Sequence, residues 1–197
     1  IFSSCCTPAG PAVFARDRGS SRQVWRSRDG YPGDPAYRDF YRDVGQELPE
    51  ELLARVYPEV GHRRNTGIKY HRVTGHEPKE LYRRDWALGA VESHANHFLQ
   101  SRIAQLQSLT GLLPVEPLLL SPFDAELFGH WWFEGPEFLD SFLRKAAQRT
   151  DVLHLTTPTR HLEDHPTMPV VTPSASSWGD QGYWGVWLND TNAWIYP

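Results

Sequence analysis

Apolar positions recur at helical spacing over two stretches of the chain. Between Arg83 and Leu109, Trp86, Ala90, Phe98, Ile103, Leu106 and Leu109 mark one face, with His94 at its wet edge. That periodicity predicts one long amphipathic helix, ended by Gly111 and barred from resuming by Pro114. A second helix is predicted from Glu137 to Arg149, with Phe138, Leu139, Phe142, Leu143 and Ala146 on one side. Between the two, Leu118 to Ser121 is a short apolar run of the kind that forms a buried strand, and its end delivers Asp124. Val152 to Leu155 is expected to form a further strand, and Thr159 to Glu163 to start a third helix. Strand, helix, strand, helix with parallel crossovers predicts an α/β fold of barrel type, in which reactive residues sit at the C-terminal ends of strands.

Composition narrows the partners more than the fold. At 197 residues the chain is long enough for one domain with a sizeable core. The 16 prolines and 15 glycines, however, require that loops make up much of it. A net charge of −4 argues against a nucleic-acid or acidic-membrane partner, which selects for concentrated Lys and Arg. No run approaches the roughly 18 apolar residues of a membrane span, and no signal-peptide pattern is present. Cys5 and Cys6 are the only thiols, and neighbours in sequence rarely meet disulfide geometry, so no disulfide framework is expected. His161 and His165 have the spacing of a helical zinc pair. Glu163 stands at the third place of that stretch and not at the second or fourth, where zinc-protease motifs require it, and Pro166 breaks the helix directly afterwards, so no metal site is expected.

The chemistry is concentrated between Ser121 and Gly135, where three carboxylates, one imidazole and two tryptophans follow the apolar run. Carboxyls that move protons or attack an anomeric carbon, beside indoles that stack on sugar rings, are what a carbohydrate-cleaving site needs. The pattern Asp124-Ala-Glu-Leu-Phe-Gly-His-Trp-Trp132 also resembles the fourth signature segment of glycoside hydrolase family 57, in particular its alpha-glucan branching enzymes. Further blocks of the same resemblance follow in order. They are Phe14-Ala-Arg-Asp17, Gln23-Val-Trp25, Gly30-Tyr-Pro-Gly-Asp34, Tyr37-Arg-Asp-Phe-Tyr-Arg-Asp43, Thr66-Gly-Ile-Lys-Tyr70, Pro173-Ser-Ala-Ser-Ser-Trp-Gly179 and Asn192-Ala-Trp-Ile-Tyr196. Ala15 stands where the family pattern has Gly, and His97 where it has Asn.

The resemblance implies a part of an incomplete (β/α)7 barrel, supplying its last strands and helices over residues 1–197. It also implies that Asp124 is the general acid/base of a retaining, cytoplasmic enzyme that forms alpha-1,6 branches on alpha-glucan polysaccharide and needs no metal or organic cofactor; an alpha-amylase or 4-alpha-glucanotransferase of the same family, or a non-catalytic glucan-binding fragment, is the alternative. Nothing in the chain resembles the segment that carries the family's nucleophilic Glu, so the chain is expected to be the later part of a catalytic domain. In the family, tryptophans of the Ser174 to Gly179 segment line sugar subsites, which carries that role to Trp178 and, further along, to Trp187, with Trp25 a further candidate.

Each of these residues also has a plainer reading. Asp124 is well placed to cap the turn that follows, and Glu126 and Glu134 read by default as solvated loop acids. In an extended segment Glu126 points the same way as Asp124 and is placed to bond sugar hydroxyls. His130 is either a satisfied loop histidine or a donor to a sugar hydroxyl. Of Trp131 and Trp132, one is expected in the core and the other in the cleft. Arg16 and Asp17 read as a structural ion pair.

Overall fold

The structure is a computed structural model that describes residues 2–58, 63–177, 183–185 and 187–196. Six α-helices can be traced: α1 (Arg18–Trp25), α2 (Val44–Glu47), α3 (Glu50–Val56), α4 (Arg84–Leu109), α5 (Gly135–Ala147) and α6 (Pro158–Asp164). The regular strands are β1 (Cys5–Cys6) and β2 (Ala12–Val13), paired antiparallel.

Both long helices form where the periodicity places them. Helix α4 ends at Thr110, whose N–H closes the last turn onto Leu106 and Gln107, and Gly111 follows at φ +81°, a conformation that suits glycine. Helix α5 has Pro136 in its first turn, where a missing N–H costs nothing. The buried stripe of α4, however, is not the expected one. It runs through Ala87, Val91, Ala95, Phe98, Leu99 and Ile103, while Trp86 is 48% exposed. Small residues at 87 and 95 let neighbouring elements approach closely. Trp86 instead faces outward between the guanidinium groups of Arg72 and Arg83, at 5.4 and 4.9 Å. His94 is likewise not a wet edge. Its ring stacks on Tyr31 with centroids 4.6 Å apart, and its Nδ1 lies 2.7 Å from the Tyr37 hydroxyl.

Aromatic rings fill the space between α4 and α5. Phe98 meets Phe138 at 5.7 Å and Phe142 at 5.0 Å, both edge to face, and Trp132 reaches Phe138 at 4.9 Å. Tyr31, Tyr37 and Val24 complete this cluster from the N-terminal part, and Leu99, Ile103, Ala146 and Leu153 form a smaller one at the far end of the two helices.

The two expected strands are not formed as such. Leu118 to Ser121 is half-buried and makes a single parallel bridge, Leu120 to Arg16. Its backbone is divided between two neighbours: the Leu118 N–H donates to Phe2 O at 2.8 Å, and Leu120 O accepts from Asp17 N at 2.7 Å. Val152 to Leu155 forms no strand, because the N–H groups of Val152 and Leu153 both turn back onto Arg149 O and close the end of α5. A second parallel bridge joins Cys6 to Val170. Among the described residues the fold is therefore α/β with few strands. No helix among them is long and apolar enough to cross a membrane.

Long connections between α1 and α4 are held by buried carboxylates. Asp43 accepts from the N–H groups of Gly45, Thr66 and Gly67 and from the Thr66 hydroxyl, at 2.8 to 2.9 Å. Asp17 caps α1 through Ser20 N at 2.7 Å and takes Gln105 Nε2 at 2.8 Å and Arg102 at 3.3 Å, so its ion-pair partner comes from α4. Burial pushes both carboxyls up, but the hydrogen bonds outweigh it and hold both below the usual range. On α6, the rings of His161 and His165 stack 4.2 Å apart, and His161 Nε2 lies 3.1 Å from Ser4 Oγ. Among the described residues no three His, Cys, Asp or Glu side chains converge on a point where a metal ion would sit.

Phe138→Ala should cost about 3–5 kcal/mol in urea unfolding, whereas Leu112→Ala, on an exposed loop, should stay within about 0.5 kcal/mol. Equal effects would show that the ring cluster does not carry the fold. Asp43→Ala strands several donors and should cost on the order of 2–4 kcal/mol at neutral pH. Because the folded carboxyl has a lowered pKa, its contribution is present above the ordinary Asp value and lost as pH falls through the lowered one. The gap between wild type and variant should therefore close in acid, and a gap that persists unchanged there would assign the cost to packing instead.

Candidate active site

Asp124 sits where the half-buried run from Leu118 gives way to a tight loop. Its carbonyl accepts the N–H of Leu127 and opens a 3₁₀ turn over Ala125–Leu127, yet its side chain makes no capping bond. The carboxylate is exposed and has no hydrogen-bond or ion-pair partner among the described residues. Two apolar anchors hold the loop down: Leu127 and Trp132, each only 2% exposed. Between them the chain reverses at Gly129, φ +95°, and the Trp132 N–H returns to Leu127 O at 2.8 Å. With those residues inward, Asp124, Glu126 and His130 are left on the outside.

The tryptophan pair divides as the sequence predicts in one respect: Trp132 is core. Trp131 is half-buried beside it, with Nε1 3.4 Å from the exposed Tyr41 hydroxyl. His130 sits edge-on to Phe40 at 5.5 Å, and the Lys69 ammonium lies 4.4 Å over the same ring. The Asp124 loop and the Tyr37 to Asp43 segment thus form one continuous surface.

Glu134 is not a solvated loop acid. It is completely buried, with Oε1 accepting the Arg38 N–H at 3.1 Å. Arg38 lays its guanidinium 3.7 Å over the Phe133 ring, and the Tyr82 hydroxyl faces the Glu134 carboxyl. Burial pushes the Glu134 pKa up, against the pull of the facing Tyr82 hydroxyl, the Arg38 N–H and the nearby positive charge. The Tyr82 hydroxyl is also raised, first by burial and then by Glu134. A sequence signal for this burial exists in hindsight. Glu134 is wedged between Phe133 and a Gly-Pro pair whose Gly135 leaves no room for a side chain, since a Cβ there would lie 2.8 Å from Phe128 Cα.

Trp25, the last residue of α1, is half-buried. It lines an open cavity of about 500 Å³ together with Arg16, Arg18, Arg22 and Arg26. Helix α1 and the approach to Asp124 are joined directly: Asp17 N bonds Leu120 O, and the Ser20 and Ser121 hydroxyls bond each other. Tyr31, in the Gly30 to Asp34 block, places its hydroxyl 2.8 Å from His97 Nδ1, so the departure at position 97 is accommodated by a direct polar contact. Trp187 is 42% exposed in a turn closed by its N–H on Trp184 O. Trp178 lies outside the described residues.

Comparison with known proteins identifies where such an arrangement occurs. No protein-family model matches the chain. It is 33% identical over 193 residues to the 1,4-alpha-glucan branching enzyme of Thermococcus kodakarensis, covering 94% of this chain and 25% of that protein. Among solved structures, the alpha-amylase AmyC of Thermotoga maritima superposes with a TM-score of 0.84 at 42% identity, covering all of this chain and 36% of the other. The GH57-type branching enzyme of Pyrococcus horikoshii gives 0.84 at 32%, covering all of this chain and 33% of the other. The fold of this segment is thus shared with a branching enzyme and an amylase. Its homologues include branching enzymes, and the Pyrococcus structure it superposes on is of GH57 type. The chain spans about a quarter of the length of the curated relative and about a third of the solved structures.

Glu134→Gln should keep the fold, since the amide oxygen still accepts from Arg38. A raised folded pKa means that the wild-type carboxyl contributes fully below the ordinary glutamate value of about 4.3 and loses that contribution as pH rises through the raised one. Relative to wild type, the variant should therefore gain on the order of 1 kcal/mol between acid and neutral pH. A variant that instead weakens as pH rises would mean that Glu134 is ionised and paired to Arg38.

Proposed function

We propose that the chain is the later part of the catalytic domain of a retaining enzyme that builds alpha-1,6 branches into alpha-1,4-glucan. The observation that carries the proposal is the match to a branching enzyme along 94% of the chain, with an exposed, unengaged Asp124 carboxylate at the tip of an anchored loop. Asp124 serves as general acid/base. It protonates the leaving glycosidic oxygen while a second carboxylate, supplied from outside these residues and roughly 5–5.5 Å away, attacks the anomeric carbon and holds the donor chain as an ester. Asp124 then takes the proton of an acceptor 6-hydroxyl, which displaces the ester. His130, on the same loop, donates to a sugar hydroxyl. Trp25, Trp131, Trp178 and Trp187 offer indole faces to sugar rings.

The parallel bridges of Arg16 with Leu120 and Cys6 with Val170 support placing the segment at the end of an incomplete (β/α)7 barrel, with Asp124 on the rim where barrel strands deliver their chemistry. A second reading, hydrolysis with water in place of the 6-hydroxyl, is favoured by the 42% identity to AmyC.

In the complete polypeptide that carries this segment, Asp124→Asn should lower branch formation on amylose by about 10²–10⁴ with glucan binding retained. Collapsed binding with a high residual rate would make Asp124 structural. Counting alpha-1,6 linkages against new reducing ends in the wild type separates transferase from amylase. The 197-residue chain alone should yield neither product, and turnover by it that Asp124→Asn removes would require a nucleophile within these residues.

A further inference from the structure

The cavity beside Trp25 differs in charge from the rest of the molecule. On a chain of net charge −4, four of its lining side chains are arginines and no acid lines it. Asp29 neutralises part of this charge and is shared: Arg22 reaches its Oδ2 at 2.6 Å and Arg26 reaches the same atom at 3.4 Å. One carboxylate therefore serves two guanidinium groups. Arg18 has neither a hydrogen bond nor an ion pair among the described residues. Asp17, adjacent in sequence, does not serve the cavity either, because it is buried and engaged by Ser20, Gln105 and Arg102. The cavity thus gathers positive charge around one large apolar face.

Guanidinium groups bind phosphoryl oxygens through paired, charge-assisted hydrogen bonds, and an indole stacks on the C–H face of a hexose. We propose that this cavity binds a phosphorylated hexose unit, with the ring against Trp25 and the phosphoryl group between Arg18 and Arg26. The volume of about 500 Å³ accommodates such a ligand, and its open shape admits either a free sugar phosphate or a phosphate monoester carried on a glucan chain. A neutral glucan alone makes no use of four arginines. A nucleic acid is disfavoured by the acidic charge of the remaining surface.

The test is calorimetric binding to the complete polypeptide at low salt, titrating glucose 6-phosphate, inorganic phosphate, glucose and a phosphorylated maltooligosaccharide beside its neutral counterpart. No turnover is read, so a failure here leaves the branching proposal standing. Glucose 6-phosphate should bind at least about tenfold more tightly than either glucose or inorganic phosphate, a difference that a single charge-assisted contact can supply. Raised salt should weaken it. Arg18→Gln with Arg26→Gln should remove the preference while leaving neutral maltooligosaccharide binding and the thermal midpoint unchanged. A preference confined to the phosphorylated oligosaccharide assigns the ligand to the polymer, and one shared by glucose 6-phosphate assigns it to the free sugar phosphate. Binding of inorganic phosphate as tight as that of both glucose 6-phosphate and the phosphorylated oligosaccharide, no preference for either over its neutral counterpart, or a preference that survives the double substitution would overturn the proposal.

Discussion

The indole of Trp132 lies 4.9 Å from Phe138 and 5.5 Å from Tyr37, and through it the candidate site is tied to the two helices that form the core. Aromatic pairs of this kind contribute about 0.5–1.5 kcal/mol beyond the area they bury, so a ring meeting both partners fixes more than its own position. Phe138 in turn meets Phe98 on α4, and Tyr37 carries the segment that approaches His130 and Trp131. A loop with no regular strand on either side thereby gains a rigid base. Its exposed tip bears Asp124, and the precision that acid/base chemistry demands of such a group comes from the apolar residues beneath it.

A second constraint arises from the scarcity of regular structure between α1 and α4. Buried backbone N–H groups that lack a ladder must find another acceptor, and here carboxylates supply it. Asp43 gathers four donors, while Asp17 joins the start of α1 to the C-terminal part of α4. Both carboxyls are held below their ordinary pKa and remain charged at neutral pH. Glu134 is the opposite case, buried with one backbone donor to Oε1 and a tyrosine hydroxyl facing its carboxyl, and burial dominates. Three acids that look alike on paper thus serve in different ways because their surroundings supply different numbers of donors.

Much of this molecule was legible before any coordinates. Helices α4 and α5 and the glycine that ends the first follow from apolar spacing and backbone sterics, both local properties. The gathering of acids and tryptophans between Ser121 and Gly135, and the family resemblance carried by that segment, are likewise properties of the residues in order. The strands were less legible. An apolar run such as Leu118 to Ser121 forms a strand only if neighbours complete its ladder, and the partners it finds, Phe2, Arg16 and Asp17, are more than a hundred residues away.

Tertiary structure alone decided which member of each similar pair went inside. Trp132 and Glu134 are buried while Trp131 and Glu126 remain accessible, and Ala87 rather than Trp86 faces the core. Periodicity marks the faces of a helix or loop, but which face is covered depends on how closely another element approaches. The short side chains of Ala87 and Ala95 permit that approach where an indole would prevent it. The arginines around Trp25 show the same limit. Spaced along one turn after another of α1 and its flanks, they read as scattered surface charge, and folding gathers them around a single cavity.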